Sequence, residues 1–415
     1  MRRLVNRKHV LRLFGLLLSL ALVAAGAQAD TLRVCTYNAL NFRGPQDADR
    51  YDDIRIVMES IAPDMVAMQE IVSEDAVDGL LSFVFLQVND DWAAAAFHDG
   101  RDTDNGFFYR TSKVSLVSSR FIQTTLRDIA EYTMQPVAPD TSLRLRVYSL
   151  HLKASEGSDN ENRRRDEAAA LRQQLDMFGP GTLFLVCGDY NLYTSAEPAY
   201  QLLLSPDSIF SGQLFDPINT PGVWHANPIF EAIHTQSPRS SVGGMDDRFD
   251  FILVSGACMD TVGSYVLPET YTPYGNDGRH FNQAINAGTN YAVPDSVANA
   301  LEAGSDHLPV YVDLVMRAES SDVAETPPVA QSFELLSCYP NPFNPTLTVQ
   351  LAGPAESVSV AVFDVAGRRV MERSVHAREF VRPLRLDFSG EPSGSYFVRA
   401  QSARRSEVKR VLLVR

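Results

Sequence analysis

Along this chain, apolar runs repeatedly end on a polar, reactive side chain. Asn38 follows LRVCTY, Glu70 follows MVAMQ, and His151 lies within YSLHLK. Asp189 and Asn191 follow LFLVC, Asp250 lies within RFDFIL, and Asp306-His307 stand just before LPVYVDL. A desolvated carboxylate or carboxamide is costly unless it finds partners. The repetition therefore implies that packed strands bring these ends together. Carboxylates with a carboxamide and no thiolate are hard oxygen donors, suited to Mg²⁺, Mn²⁺ or Ca²⁺ rather than Zn²⁺. Beside imidazoles, such a cation points to phosphoryl chemistry. The metal neutralises non-bridging oxygens, a carboxylate aligns or deprotonates the attacking water, and a histidine donates to developing charge.

The elements that must position these groups read as short strands alternating with helices. RYDDIRIVMESI places Ile54, Val57, Met58 and Ile61 on one helical face, and SDNENRRRDEAAALRQQLDMF turns Ala168, Leu171 and Leu175 inward. Gly179-Pro180-Gly181 halts the second helix. LRVCTYN, MVAMQE, LRLRVYSLHL, LFLVC, RFDFILVS and LPVYVDLVM read as strands. FFYRTSKVSLVS and FIQTTL read as a pair of strands. EPAYQLLL is helical, and 205–242 is rich in loops. Many strands with few helices predict two packed sheets flanked by helices.

The combination TYNALNF, MQE, SLHLKA, GDYNLY, RFDFIL and GSDHLPV, in that order over residues 31–316, resembles the endonuclease/exonuclease/phosphatase superfamily. The similarity is greatest to its secreted bacterial members. It implies an α+β, four-layer α/β/β/α sandwich. It also implies that Glu70 is the principal metal ligand with Asn38, that Asp189 orients and activates water, and that Asn191 fixes the phosphate or nucleophile. His307 would stabilise the transition state with its ring held by Asp250, and Asp306 would serve the metal or act as general base. His151 matches a histidine used as general acid or phosphate contact. Among Arg163, Arg164 and Arg165, Arg163 is the candidate phosphate-binding residue, while Asp246 and Asp247 read as loop structure. The implied cofactor is Mg²⁺ or Mn²⁺, with Ca²⁺ open.

Residues 1–29 read as a signal peptide. Five basic residues precede the apolar run LFGLLLSLALVAAGA, and Ala27-Gln28-Ala29 offers a small-x-small cleavage site. That run is shorter than the ~20 residues a spanning helix needs. The mature chain is expected to begin at Asp30, to be exported, and to keep no stable membrane insertion. Residues 30–318 carry 20 Lys and Arg against 40 Asp and Glu, a net of −20. Such a surface cannot grip a polyanion by counterion release, so a phosphate must be met by local groups or bridging cations. Cys35, Cys187, Cys258 and Cys338 fall singly, without zinc-like spacing. Cys35 and Cys187 lie in apolar strand runs and read as buried free thiols.

At AESSDVAETPPVAQ the apolar content collapses, marking 319–332 as a linker after a catalytic domain at 30–318. Residues 333–415 read as a small all-β sandwich of short strands with glycine turns. The stretches CYPNPFNPTLTVQL, VAVFDVAGRRV, GSYFVRA and VKRVLLVR resemble the type A sorting domain of type IX secretion. The resemblance implies the type IX machinery as a partner, passage through the periplasm, and release or display at the cell surface. The leading functional expectation is a secreted, metal-dependent nuclease, with nucleic acid as substrate and a monomeric chain. The alternative is a secreted phosphatase or phospholipase acting on an inositol phosphate or sphingomyelin through the same site. LYTS after GDYN departs from the Arg-Ile of the 5-phosphatases, and no hairpin with an exposed aromatic pair suggests a sphingomyelinase.

Overall fold

The run LFLVC, apolar at every position, is explained by its surroundings: it is buried on both faces. Leu183, Leu185 and Cys187 face one apolar cluster, while Phe184 and Val186 face another. The same period of two recurs where Leu32 and Val34 face the central cluster and Cys35 and Tyr37 the outer one. The computed structural model describes residues 29–179, 181–206, 212–239, 241, 243–261, 263–318, 334–352, 358–364, 368–375, 383–401 and 406–415. The expected leader, apart from its last residue, and the expected linker lie outside the described residues. Two units divide the chain near residue 320.

The first unit holds twelve described strands in two six-stranded sheets. They are β1 (Ala29–Phe42), β2 (Met65–Ile71), β3 (Trp92–Ala94), β4 (Asp104–Arg110), β5 (Val114–Ile122) and β6 (Ile129–Pro136). Next come β7 (Leu145–His151), β8 (Leu183–Asp189), β9 (Leu214–Phe215), β10 (Asp250–Ser255), β11 (Tyr265–Pro273) and β12 (Val310–Arg317). One sheet has the order β11-β12-β1-β2-β4-β3, the other β5-β6-β7-β8-β10-β9. The helices are α1 (Tyr51–Ile61), α2 (Glu74–Leu80), α3 (Leu86–Val88), α4 (Ser158–Leu175), α5 (Pro198–Leu204) and α6 (Asp295–Gly304).

The central core lies between the sheets, with Met65, Ala67, Val312 and Leu314 from one and Val147, Leu185, Ile252 and Val254 from the other. On the outer face of the first sheet, Ile54, Val57, Met58 and Ile61 of α1 and Val297, Ala298 and Leu301 of α6 join one cluster. On the outer face of the second, Ala168, Leu171 and Leu175 of α4 and Tyr200 and Leu203 of α5 form another. This is the expected four-layer sandwich.

The sheet interiors are mostly antiparallel, with two parallel pairs. β1 runs parallel to β2, and β7 parallel to β8. A parallel pair needs a long crossover, and α1 and α4 supply them.

One expectation fails. FFYRTSKVSLVS is not one strand paired with FIQTTL: FFYR belongs to β4, which pairs with β2 and β3 in the first sheet, while VSLVS and the start of FIQTTL are one strand, β5, which pairs with β6 in the second. The turn at Thr111-Ser112-Lys113 carries the chain from one sheet to the other. Ser118 to Arg120, polar enough to suggest a loop, pair directly with Thr133 to Glu131.

In the second unit, β13 (Glu334–Tyr339), β14 (Thr346–Ala352) and β17 (Leu384–Asp387) form one antiparallel sheet. A second holds β15 (Val358–Asp364), β16 (Arg369–Val375), β18 (Gly394–Gln401) and β19 (Ser406–Leu413). Leu347, Val349, Val360, Val362, Val398 and Val411 make its core, in agreement with the all-β expectation.

Candidate active site

The strand register sets the polar residues in a row. In the second sheet His151 at the end of β7 is opposite Asp189 at the end of β8, and Asp189 is opposite Asp250 at the start of β10. In the first, Asn38 of β1 pairs with Gln69 of β2, which places Glu70 next in line. Packing the sheets face to face joins the two rows. Asn38 Nδ2 donates to Glu70 Oε1 at 3.0 Å and to Asp189 Oδ2 at 3.1 Å.

Two glycine-like backbone positions make this possible. Glu70 has φ +59° and Asn191 φ +50°, a region that costs a non-glycine residue about 1–3 kcal/mol. At Glu70 the β2–β4 register shifts, and the strand bends its carboxylate toward Asn38. Gly188 has φ +142°, and a Cβ there would lie 2.0 Å from Leu150 O. Only glycine lets β8 approach β7 closely enough to set Asp189 beside His151.

The two histidines differ in kind. His307 Nδ1 donates to Asp250 Oδ2 at 2.8 Å, and its Nε2 lies 3.7 Å from Asp189 Oδ2. Burial penalises the His307 imidazolium, yet Asp250 and Asp189 outweigh it, so its pKa stands well above the ordinary histidine value. His151 lies 3.4 Å from Asp189 Oδ2 and 3.8 Å from Glu70 Oε1. Burial, helped by Arg127, holds its pKa well below normal and keeps the ring neutral. Burial pushes the Asp189 carboxyl up to about 7, with Asp250 and Glu70 adding to the effect against His307. Asn191 donates its backbone N–H to Asp189 Oδ1 at 2.9 Å and its Nδ2 to Leu152 O at 3.2 Å.

The donor set suits a divalent cation. Glu70, His151 and Asp189 each present a ligand atom, all within 4.8 Å of one another. Asp189, under pressure to stay protonated, would be relieved by a nearby positive charge. His151 Nδ1 is buried without a hydrogen-bond partner, and Asp306 Oδ1 likewise. Asp306, half-buried, is not within that tight group.

Arg163 points to solvent from α4 and makes no described contact with the row. Its neighbour Arg164 is fully buried: it pairs with Glu197 at 2.7 Å and donates to Lys153 O and Ser155 O, bracing the loop after His151. Arg127 is the guanidinium that acts most strongly on His151. It pairs with Asp102 at 2.9 Å, and its Nε is buried without a hydrogen-bond partner. The motifs do not mark it. The β6–β7 register does, because Ala130 opposite Ser149 carries the residues before β6 alongside His151.

Other positioning groups also escape the motifs. Ser305 Oγ donates to Asn38 O at 2.6 Å. Arg50 donates to Leu40 O and Gly304 O, each at 3.0 Å, and also to Ala39 O, fixing the turn from which Asn41 N reaches Glu70 Oε2. Thr235 Oγ1 accepts from Phe249 N and Asp250 N. No motif marked them because most act through backbone groups of residues distant in sequence.

Comparison with known proteins gives two family matches. The model described as Endonuclease/Exonuclease/phosphatase family matches residues 35–307. That described as Secretion system C-terminal sorting domain matches residues 337–414. No curated protein matches the chain. Among solved structures the chain is similar to the human Nocturnin catalytic domain with bound sulfate anion, at 16% identity over 70% of this chain and 98% of that one, TM-score 0.45. It is also similar to an endonuclease/exonuclease/phosphatase family protein from Bacteroides thetaiotaomicron, at 18% identity over 70% of this chain and 97% of that one, TM-score 0.44. A third, from Beutenbergia cavernae, is 16% identical over 92% of this chain and 100% of that one, TM-score 0.44.

Proposed function

Since the chain belongs to the Endonuclease/Exonuclease/phosphatase family, whose members hydrolyse phosphoesters, we propose that it is a divalent-metal-dependent phosphodiesterase cutting nucleic acid outside the cell. The carrying observation is Asp189, buried between two histidines of opposite protonation and hydrogen-bonded to Asn38 beside Glu70. The C-terminal sorting domain implies export. Among the described residues no helix is long and apolar enough to cross a membrane.

Glu70 and Asn38, with Asp306 at the margin, would hold Mg²⁺ or Mn²⁺. Such an ion supplies charge against the non-bridging phosphate oxygens. Asp189 accepts a proton from the attacking water and orients it, with Asn191 fixing its position. A carboxyl whose pKa is raised toward neutrality is matched to general-base work. His307, kept cationic by Asp250, donates Nε2–H to charge that grows on the phosphoryl oxygens. His151, neutral, contacts the phosphate. Arg127 offers the nearby guanidinium for a flanking phosphate, a part the sequence reading gave Arg163 for its place at a helix start near the site. The net −20 of residues 30–318 makes the bound cation necessary for recruiting a polyanion.

The test is hydrolysis of plasmid DNA, RNA, an inositol polyphosphate and sphingomyelin side by side, with Mg²⁺ or Mn²⁺ and with EDTA. Metal-dependent cleavage of nucleic acid is the expected result. Turnover of a small phosphoester with plasmid and RNA untouched would overturn the nuclease reading in favour of a phosphatase or phospholipase and leave the site roles standing.

A further inference from the structure

A second group of ligating side chains lies apart from the Glu70 group. His225, Asp246 and Asp247 each offer one ligand atom, and the three atoms lie within 4.8 Å of one another. Glu156 Oε1 stands 3.7 Å from His225 Nε2. These residues come from three loops: Glu156 follows β7, His225 lies between β9 and β10, and Asp246-Asp247 precede β10. They are far apart in sequence, and the fold alone brings them together.

The group is short of positive charge. Asp247 is buried, its side chain 7% exposed, and only Oδ1 is engaged, at 2.9 Å from His225 Nδ1. Its Oδ2 has no hydrogen-bond or ion-pair partner among the described residues. No Arg or Lys among the described residues pairs with any of the three carboxylates. One imidazole thus stands against three carboxylates. An unengaged Asp247 oxygen beside an imidazole and the Asp246 carboxylate, with no lysine or arginine paired to them among the described residues, makes a ligand set able to hold a cation.

The geometry points to a second divalent-cation site formed by His225, Asp246 and Asp247, separate from the Glu70 group. Imidazole nitrogen beside carboxylate oxygen selects Mn²⁺ or Zn²⁺ over Mg²⁺ and Ca²⁺, which prefer oxygen alone. The ion ties the segment at His225 to the segment that leads into β10. Asp247 is paired through its backbone with Gln236, whose Nε2 lies 3.4 Å from His307 Nε2. On the other side Tyr193 packs on His225 at 5.3 Å and on Phe249 at 5.0 Å between ring centroids. Its occupation therefore steadies the residues that pack around His307.

The test is direct counting of bound Mn²⁺, by equilibrium dialysis and by the loss of free-ion paramagnetic resonance signal, on the full chain. The wild type is expected to bind one more ion per chain than either Glu70→Gln or His225→Gln, and the double variant to bind neither. Asp246→Asn, at a half-buried position, serves as a second disruption, and thermal unfolding confirms that each variant is folded. The inference is overturned if His225→Gln and Asp246→Asn, both folded, bind as much Mn²⁺ as the wild type. A chain that keeps the His225-dependent ion while Glu70→Gln changes nothing would overturn the metal role of Glu70 instead, so the two readings fail separately.

Discussion

Asp250→Asn is the most informative single substitution. The residue is fully buried, and its one engaged oxygen accepts from His307 Nδ1 at 2.8 Å while the other has no partner. The change keeps the volume and removes the charge that keeps His307 protonated against burial. A hydrogen bond to a charged group contributes about 1.5–3 kcal/mol, and leaving a buried partner uncompensated costs about 3–5 kcal/mol. At about 1.4 kcal/mol per decade of rate, a loss felt wholly in the transition state spans roughly 10-fold to a few thousand-fold in kcat. KM should hold, because the charge that His307 meets develops only during reaction. Thermal stability should fall, since His307 loses the buried partner of its ion pair. Initial rates of plasmid nicking in Mn²⁺, with thermal unfolding alongside, provide the measurement. A folded variant within about threefold of wild-type kcat would rule out this role for Asp250, as would a loss confined to KM.

Other substitutions probe different parts of the site and its scaffold. Gly188→Ala puts a methyl 2.0 Å from Leu150 O at φ +142°, so urea unfolding should show a loss of about 3 kcal/mol or more; a loss under about 1 kcal/mol would mean that the β7–β8 contact is slack. Arg164→Ala strands the buried Glu197 carboxylate and should cost about 3–5 kcal/mol in the same assay, whereas Arg163→Ala should leave stability unchanged. Arg127→Ala should lower kcat/KM on nucleic acid by about 10- to 100-fold, mostly through KM, and an unchanged value would remove Arg127 from substrate binding.

The elements most visible in the sequence were those whose environment is simple. α1 is amphipathic and showed it, and α4, though it also buries Arg164, Glu167 and Arg172, turns its apolar residues inward: Ile54, Val57, Met58 and Ile61, and Ala168, Leu171 and Leu175, all face clusters on the outer faces of the sheets. β8 was legible because burial on both faces leaves a continuous apolar run. β6 was not, since it carries Glu131, Thr133 and Gln135, and Glu131 is buried only because Arg146 on β7 pairs with it at 2.5 Å. A strand whose polar residues are neutralised by its neighbour has no periodic signal of its own. The same holds for the site. Asn38, Glu70, His151, Asp189, Asp250 and His307 each lie at or near a strand end and could be named in advance, but Arg127, Arg50, Ser305 and Thr235 act across tens to hundreds of residues, which spacing cannot reveal. Asp246 and Asp247, read as loop structure, gain another meaning only when His225 and Glu156 are folded beside them.

The two parallel pairs have a consequence for how the protein could be divided. Parallel neighbours deliver their C-terminal ends side by side, so β1–β2 presents Asn38 with Glu70 and β7–β8 presents His151 with Asp189. A chain cut in the β6–β7 connection, residues 137–144, would leave the first pair on one fragment and the second pair, with Asp250 and His307, on the other. Each sheet would then draw strands from both fragments: β11 and β12 join β1–β4, while β5 and β6 join β7–β10. Neither piece can complete a sheet or the candidate site without the other. Catalysis in a split version of this protein would therefore register reassembly of the halves, with no background from either fragment alone.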